Sequence, residues 1–309
     1  MKTIFIVNPK AGKKKNVDEL ISKIRKESLE IDADFLIYIT KCEKDAEVFV
    51  KDYCLSNGPA RFIACGGDGT LNEVLNGAFG CENAEIGVIP LGTGNDFCRN
   101  FESDNFKDVK AQINGKTIKC DVIRYQTDDK TRYCINMFNI GFDCNVADMK
   151  STVTNKTFFS GPFAYLISIF VILIKKKGAD LKIEIDGKEY HNGKLLLTSI
   201  ANGSFCGGGL KSNPLADIKD GNININIIKN ISRLNFLSKL PFYMNGTFVK
   251  LRGIEKIISS LKCKKIVITP NGKKMRLCID GEIEDAGKTT FEVLNHAVSF
   301  VEPSNNKIY

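Results

Sequence analysis

Several familiar chemistries are missing from this chain. It has only two histidines, His191 and His296, and neither lies near a serine or cysteine nucleophile motif. That argues against a Ser-His-Asp hydrolase and leaves both as structural residues. The eleven cysteines are an odd number, scattered singly from Cys42 to Cys278 with no C-x-x-C pair, which argues against a disulfide framework and a zinc site. Thiols such as Cys65 and Cys134 stand in apolar runs, where a free cysteine acts as a small hydrophobe, and a reducing cytoplasm suits them. No G-x-x-x-x-G-K-[ST] run is present, so there is no P-loop. Gly67-Asp68-Gly69-Thr70-Leu71-Asn72 lacks the last glycine of a dinucleotide fingerprint.

No internal repeat, low-complexity tract or spanning segment is legible either. The most apolar stretch, Phe158 to Ile174, is interrupted by Gly161-Pro162, which leaves about a dozen helical residues where a bilayer needs about 20. It is expected to be a helix packed on a sheet, part of whose face lines a lipid-sized cleft. Met1 to Val7 reads as a short strand, not a signal peptide. Basic residues lack the aromatic interleaving of a nucleic-acid module, so no nucleic-acid partner is expected.

What is present is an ordinary globular composition, 43% hydrophobic and 26% charged, with 44 basic against 36 acidic residues for a net charge of +8. The excess favours acidic partners such as nucleotides or an anionic lipid surface. At 309 residues, two domains are the better expectation.

Up to about Asp121, strands alternate with helices: Thr3 to Val7, a helix near Val17 to Glu27, Asp34 to Thr40, a helix near Lys44 to Ser56, Arg61 to Cys65, a helix from Leu71, then Ile86 to Ile89. Such alternation implies a parallel sheet covered on both faces. Two glycine-rich turns follow the third and fourth strands, Gly66-Gly67-Asp68-Gly69-Thr70-Leu71-Asn72 and Leu91-Gly92-Thr93-Gly94-Asn95-Asp96-Phe97. Glycines without Cβ let backbone N–H groups approach an anion, and a helix start adds unpaired donors; tight strand-to-helix turning is the plainer reading of either loop alone. Asp68 and Asp96, among small neutral neighbours, are candidates for holding Mg²⁺ or a hydroxyl. Ligands in open α/β sheets bind outside the carboxyl ends of strands, where both turns and Asn8-Pro9-Lys10-Ala11-Gly12 fall.

Beyond residue 122 successive strands replace the alternation: Tyr133 to Ile140, Leu181 to Ile185, Lys194 to Ala201, Ile223 to Ile228, Ile266 to Pro270 and Met275 to Ile279. They read as an antiparallel sandwich or barrel, with Phe158 to Ile174 and Ser232 to Leu261 as helical insertions. Asp186-Gly187 and Asn271-Gly272 are hairpin turn signals. An exposed sandwich edge is a place where a homodimer could form.

Taken together, Asn8 to Gly12, the G-G-D-G-T-L-N-E-V segment from Gly66, Pro90 to Phe97, Asn139 to Asp143, Ala201-Asn202-Gly203, Gly207 to Gly209, Pro214-Leu215-Ala216, Asp220-Gly221 and Ile279-Asp280-Gly281-Glu282 resemble the diacylglycerol kinase catalytic-domain family of lipid kinases, in its order and approximate spacing. G-G-D-G alone would also suit NAD kinases and phosphofructokinases.

The resemblance implies an α/β plus β protein. Its first part is a three-layer α/β domain of NAD kinase/phosphofructokinase type over residues 1–122, with 296–309 packing back onto it; an antiparallel β-sandwich for the lipid substrate spans 123–295. It implies transfer of the γ-phosphoryl group of Mg-ATP to a lipid hydroxyl, diacylglycerol first, at the cytoplasmic membrane face. Asn8 and Thr40 would line the nucleotide pocket with Pro9, Lys10, Ala11 and Gly12. Gly66, Gly67, Asp68, Gly69, Thr70, Leu71, Asn72, Thr93 and Asn95 would hold the phosphates, and Asp68, Asp96 and Asp121 would organise Mg²⁺. Glu282 is the first candidate for proton acceptor and Asp280 the second, with an Asp-Gly hairpin turn as the plainer reading. Asp220 would bind a structural Mg²⁺ through its side chain, with Asp217 and Asn222 contributing mainly carbonyl oxygens. Lys13-Lys14-Lys15 is a solvated face or a steering cluster. Two rival readings are a kinase of NAD or another soluble alcohol, and a catalytically silent lipid-binding regulatory module.

Overall fold

Strands buried on both faces read as unbroken apolar runs, and the first three elements of this kind lie side by side. In the computed structural model, which describes residues 1–12, 14–103, 105–141 and 178–303, β1 (Thr3–Val7) is wholly buried and pairs in parallel with β2 (Phe35–Ile39) on one side and β3 (Arg61–Gly66) on the other. β4 (Glu85–Pro90) continues the sheet beside β3, and the carboxyl half of the last strand, β15 (Thr289–Glu302), adds in parallel to β4. The helices are α1 (Lys14–Glu30), α2 (Asp45–Asn57), α3 (Asp68–Ala78) and α4 (Val109–Asn114). α1 and α4 cover the face that carries Phe5, Val7, Ile63 and Ile89. α2 packs on α3, and its Tyr53 meets Phe62 of the opposite face edge-on at 5.8 Å. This unit, Met1–Asp121 with the segment from His296 onward, is the three-layer α/β arrangement that the alternation implies.

The second unit, Val122–Asn295, is antiparallel throughout. After β5 (Lys116–Gln126), which enters it from the first, come β6 (Thr131–Cys134), β7 (Met137–Gly141), β8 (Ala179–Ile185), β9 (Lys188–Ala201), β10 (Ile223–Lys229), β11 (Ile258–Cys263), β12 (Lys265–Pro270), β13 (Met275–Ile279) and β14 (Glu282–Ala286). The order β14-β13-β7-β9-β8-β12-β15 forms one path, with β10 and β11 added beside β9. Tyr125, Phe138 and Phe291 interlock edge-on at its core, with centroids 5.0 and 4.9 Å apart. A second cluster packs Leu197, Ile228 and Ile258 beneath α5 (Arg233–Met244) and Phe248.

Local signals misjudge this unit in three places. Asp186-Gly187 turns β8 into β9 with both residues at positive φ, but Asn271-Gly272 makes no hairpin: β12 pairs with β8 and β15, and β13 with β7 and β14. Asn271 instead anchors to Asp180 through its backbone N–H, 3.0 Å, and its side-chain amide, 2.7 Å. The run expected to be helical up to Leu261 ends in β11, because its last residues find a partner in β10. The run from Tyr133 to Ile140 is two strands, broken at Ile135-Asn136. The apolar stretch Phe158 to Ile174 and the end of the Asn139 to Asp143 motif lie outside the described residues, as does Lys13. Among the described residues no helix is long and apolar enough to cross a membrane.

Candidate active site

Three loops leave the carboxyl ends of β1, β3 and β4 and meet. Leu91 N–H donates to Gly66 O at 2.8 Å, and Asn8 Nδ2 donates to Thr70 Oγ1 at 3.1 Å, so the loop after β1 is pinned to the first turn of α3. The chains approach so closely at Gly92 that a Cβ there would lie 2.7 Å from Gly67 Cα. At Gly94 a Cβ would lie 2.7 Å from Asp68 Oδ2. Both positions require glycine for space rather than for a special φ. Gly67 caps α3 with no side chain to occupy the first N–H groups of the helix.

Asp68 is held by the loop opposite. Its Oδ1 accepts from Asp96 N–H at 2.9 Å, and the backbones of Phe97 and Asn95 donate to it as well. Burial pushes its carboxyl up to about 6, the negative charge of Asp96 pushes the same way, and the three N–H donors oppose both. Asp96, itself buried, has Arg99 Nε 3.7 Å from Oδ1; no sequence signal had singled out Arg99. Burial, followed by the charge of Asp68, pushes the Cys98 thiol up to about 12.

The other expected residues of this unit divide by role. Asn8 Oδ1 accepts from Lys10 N–H at 2.9 Å and Asn95 Nδ2 donates to Gly92 O at 2.6 Å, so each amide shapes its own loop. Thr40 is buried beside the end of β1, with its N–H on Val7 O at 2.9 Å, and Leu71 is a core residue. Asn72 Oδ1 receives Asn76 Nδ2 along α3 at 3.2 Å. Asp121 is fully buried and accepts from His296 N–H at 2.8 Å, where His296 has φ 51°. Among the described residues no three carboxylate, histidine or cysteine side chains gather as a metal cluster, so Asp68 and Asp96 stand as a pair.

In the second unit, Asp280-Gly281 is the two-residue turn between β13 and β14, with φ 48° and 99°. The Asp280 carboxylate accepts from Met137 N–H at 3.1 Å and from the Cys134 thiol at 3.2 Å, fastening the hairpin to β7. Glu282 opens β14 and is exposed. In the turn before β10, Asp217 Oδ1 accepts from Lys219 N–H, and Asp220 Oδ1 from Asn222 N–H.

Two domain families match in tandem: the diacylglycerol kinase catalytic domain over residues 2–125 and the YegS C-terminal NAD kinase beta sandwich-like domain over 137–302. The chain is 31% identical to a diacylglycerol kinase of Staphylococcus carnosus over 311 residues, covering 98% of this chain and 95% of that one. The chain belongs to the diacylglycerol kinase family. A Bacillus subtilis diacylglycerol kinase is 27% identical over 90% of this chain and 88% of its own. The crystal structure of a Bacillus anthracis diacylglycerol kinase superposes with TM-score 0.71 at 21% identity, covering 100% of this chain and 98% of that chain. A yeast NADH kinase, solved with NADH, shares the fold at TM-score 0.51 and 13% identity, over 99% of this chain and 84% of its own.

A kinase of this family implies ATP, and the donor set of the first unit fits it: glycine-walled backbone at a helix start beside two adjacent carboxylates whose mutual repulsion a divalent cation would relieve. In the turn at Asp217 to Asn222 the Asp220 carboxylate accepts from Asn222 N–H and pairs with the Lys262 ammonium.

Proposed function

We propose that this diacylglycerol kinase family member transfers the γ-phosphoryl group of Mg-ATP to a lipid hydroxyl, with diacylglycerol as first acceptor and phosphatidic acid as product, while peripherally attached at the cytoplasmic membrane face. The observation that carries the reading is the meeting of three loops at the carboxyl ends of β1, β3 and β4 around Asp68. The lipid acceptor is supported by relatives over nearly the whole chain that bear the name diacylglycerol kinase.

Phosphoryl transfer needs charge neutralised on the phosphates, an aligned acceptor and a group to take the acceptor's proton. Backbone N–H groups at Gly67 to Thr70 and Gly92 to Gly94 bind the phosphates, and Asn8 and Thr70 fix the two loops relative to each other. Asp68 and Asp96 would hold a divalent metal, which would supply positive charge against the phosphates. Thr40 and Asn8 to Gly12 line the nucleotide, Asn72 and Thr93 join the phosphate-binding set, and Asn95 keeps its loop in shape. Asp121 holds the backbone at His296. Glu282 takes the proton: both Asp280 oxygens are engaged by Met137 and Cys134, which leaves Asp280 to position the hairpin.

Incubation with γ-labelled Mg-ATP, a panel of lipids in mixed micelles and NAD tests the reading. Labelled phosphatidic acid is the expected result. Labelled NAD instead would make the protein a kinase of a soluble acceptor, and lipid binding without any transfer would make it a regulatory module.

A further inference from the structure

The turn that precedes β10 is crowded with positive charge. Antiparallel register sets Ile223 opposite Cys263 and Asn224 opposite Lys262, so the residues just before β10 face those around the end of β11. Lys262 and Lys264, two apart along an extended chain, point to one side, while Cys263 between them is buried. The Lys262 ammonium pairs with Asp220 Oδ2, and the Lys264 ammonium donates to the Gly221 carbonyl. The rest of the turn closes on itself: Asn222 N–H reaches Asp220 Oδ1 and Asn222 Nδ2 reaches Asp220 O, both at 2.9 Å. Gly221 at φ 67° is buried against this arrangement, with the Lys264 ammonium 3.5 Å from where its Cβ would be.

A hard divalent cation here would need oxygen ligands in a close octahedron and would keep several waters. Both oxygens of the Asp220 carboxylate, which would be the side-chain ligand, and the Asp220 and Gly221 carbonyls each already accept a hydrogen bond or an ammonium. Two lysines also supply the same two positive charges as one divalent ion, at the turn that carries Asp220. An incoming Mg²⁺ would meet their repulsion and have to displace Lys262.

We propose that Lys262 and Lys264 together take the place of a structural divalent cation, so that the β10–β11 edge of this protein is braced by the chain's own ammonium groups and is independent of metal. The arrangement makes the stability of the second unit indifferent to chelation, in contrast to the metal dependence of the Asp68 and Asp96 pair.

Hydrogen exchange of the full-length protein, read by mass spectrometry on peptides spanning residues 215–228 and 258–265, tests this in Mg²⁺ and in EDTA. Exchange of the unaltered chain is expected to be the same in both. Lys262→Met with Lys264→Met is expected to exchange several-fold faster in these peptides, and Lys262→Arg with Lys264→Arg to keep the protection, which separates loss of charge from failure to fold. Peptides around 66–97 serve as the metal-responsive control. Faster exchange of the unaltered chain at 215–228 in EDTA overturns the proposal, and so does a methionine variant that exchanges as slowly as the parent.

Discussion

Asp68 Oδ1 accepts the backbone N–H of Asp96 at 2.9 Å, so one carboxylate both opens α3 and clamps the loop that follows β4. Burial of this place, followed by the nearby charge of Asp96, is why Asp68 holds its proton to about 6 when an ordinary aspartate loses it near 4, even though the bond itself favours the ionised form.

Folding stability therefore depends on pH through Asp68. The folded chain binds this proton more tightly than the unfolded chain, so the contribution is fully present below about pH 4 and is lost as the pH rises through about 6, a cost on the order of 2–3 kcal/mol at neutral pH. Asp68→Asn is expected to abolish phosphoryl transfer yet to melt higher than the parent at pH 7.5 without metal, and to match it near pH 4. Mg²⁺ should raise the parent's Tm at pH 7.5 and leave that of Asp68→Asn unmoved at the same pH. Calorimetry at the two pH values checks both.

The close approach at Gly92 is a steric statement. A methyl group there meets Gly67 Cα at 2.7 Å, and the atom it meets is backbone, not the end of a flexible side chain that could yield. Gly92→Ala should cost about 1–3 kcal/mol in denaturant unfolding and raise the KM for ATP, because the phosphate-binding loops are pushed apart.

Asp280 and Glu282, two residues apart, should separate by experiment. Asp280→Ala leaves the Met137 N–H without its acceptor and is expected to lose about 1–3 kcal/mol of stability. Glu282→Gln should leave the melting temperature within a degree or so of the parent while kcat falls by roughly 10²–10⁴, the range of general base catalysis. Equal stability loss in both variants would show that Glu282 is part of the same brace.

Asp121 offers a contrast with Asp68. Its carboxylate holds the His296 backbone at positive φ, a task an amide oxygen performs as well. Asp121→Asn should thus retain far more activity than Asp68→Asn, and Asp121→Ala should lower stability by about 1–3 kcal/mol. Loss of activity in Asp121→Asn equal to that in Asp68→Asn would place Asp121 among the metal-holding groups instead.

The alternation of apolar strands and helices up to Asp121, the glycine loops at strand ends and the change to successive strands afterwards are local patterns, and they determined the fold class from the amino-acid sequence alone. Burial of parallel strands on both faces demands continuous apolar runs, and a tight strand-to-helix turn demands glycine, so both leave marks within a few residues. Tertiary structure decided what depends on partners remote in the chain. Asn271-Gly272 has the chemistry of a hairpin, but the partners of β12 and β13 are elsewhere. Asp280 looks like a free acid until Met137 and Cys134, more than 140 residues away, are brought against it. The partner of Asp220, Lys262, is likewise delivered by the register of β10 and β11 and not by the sequence around it. A carboxylate's role is set by what neutralises or hydrogen-bonds it, and that is a property of the packed sheet rather than of the residues beside it in sequence.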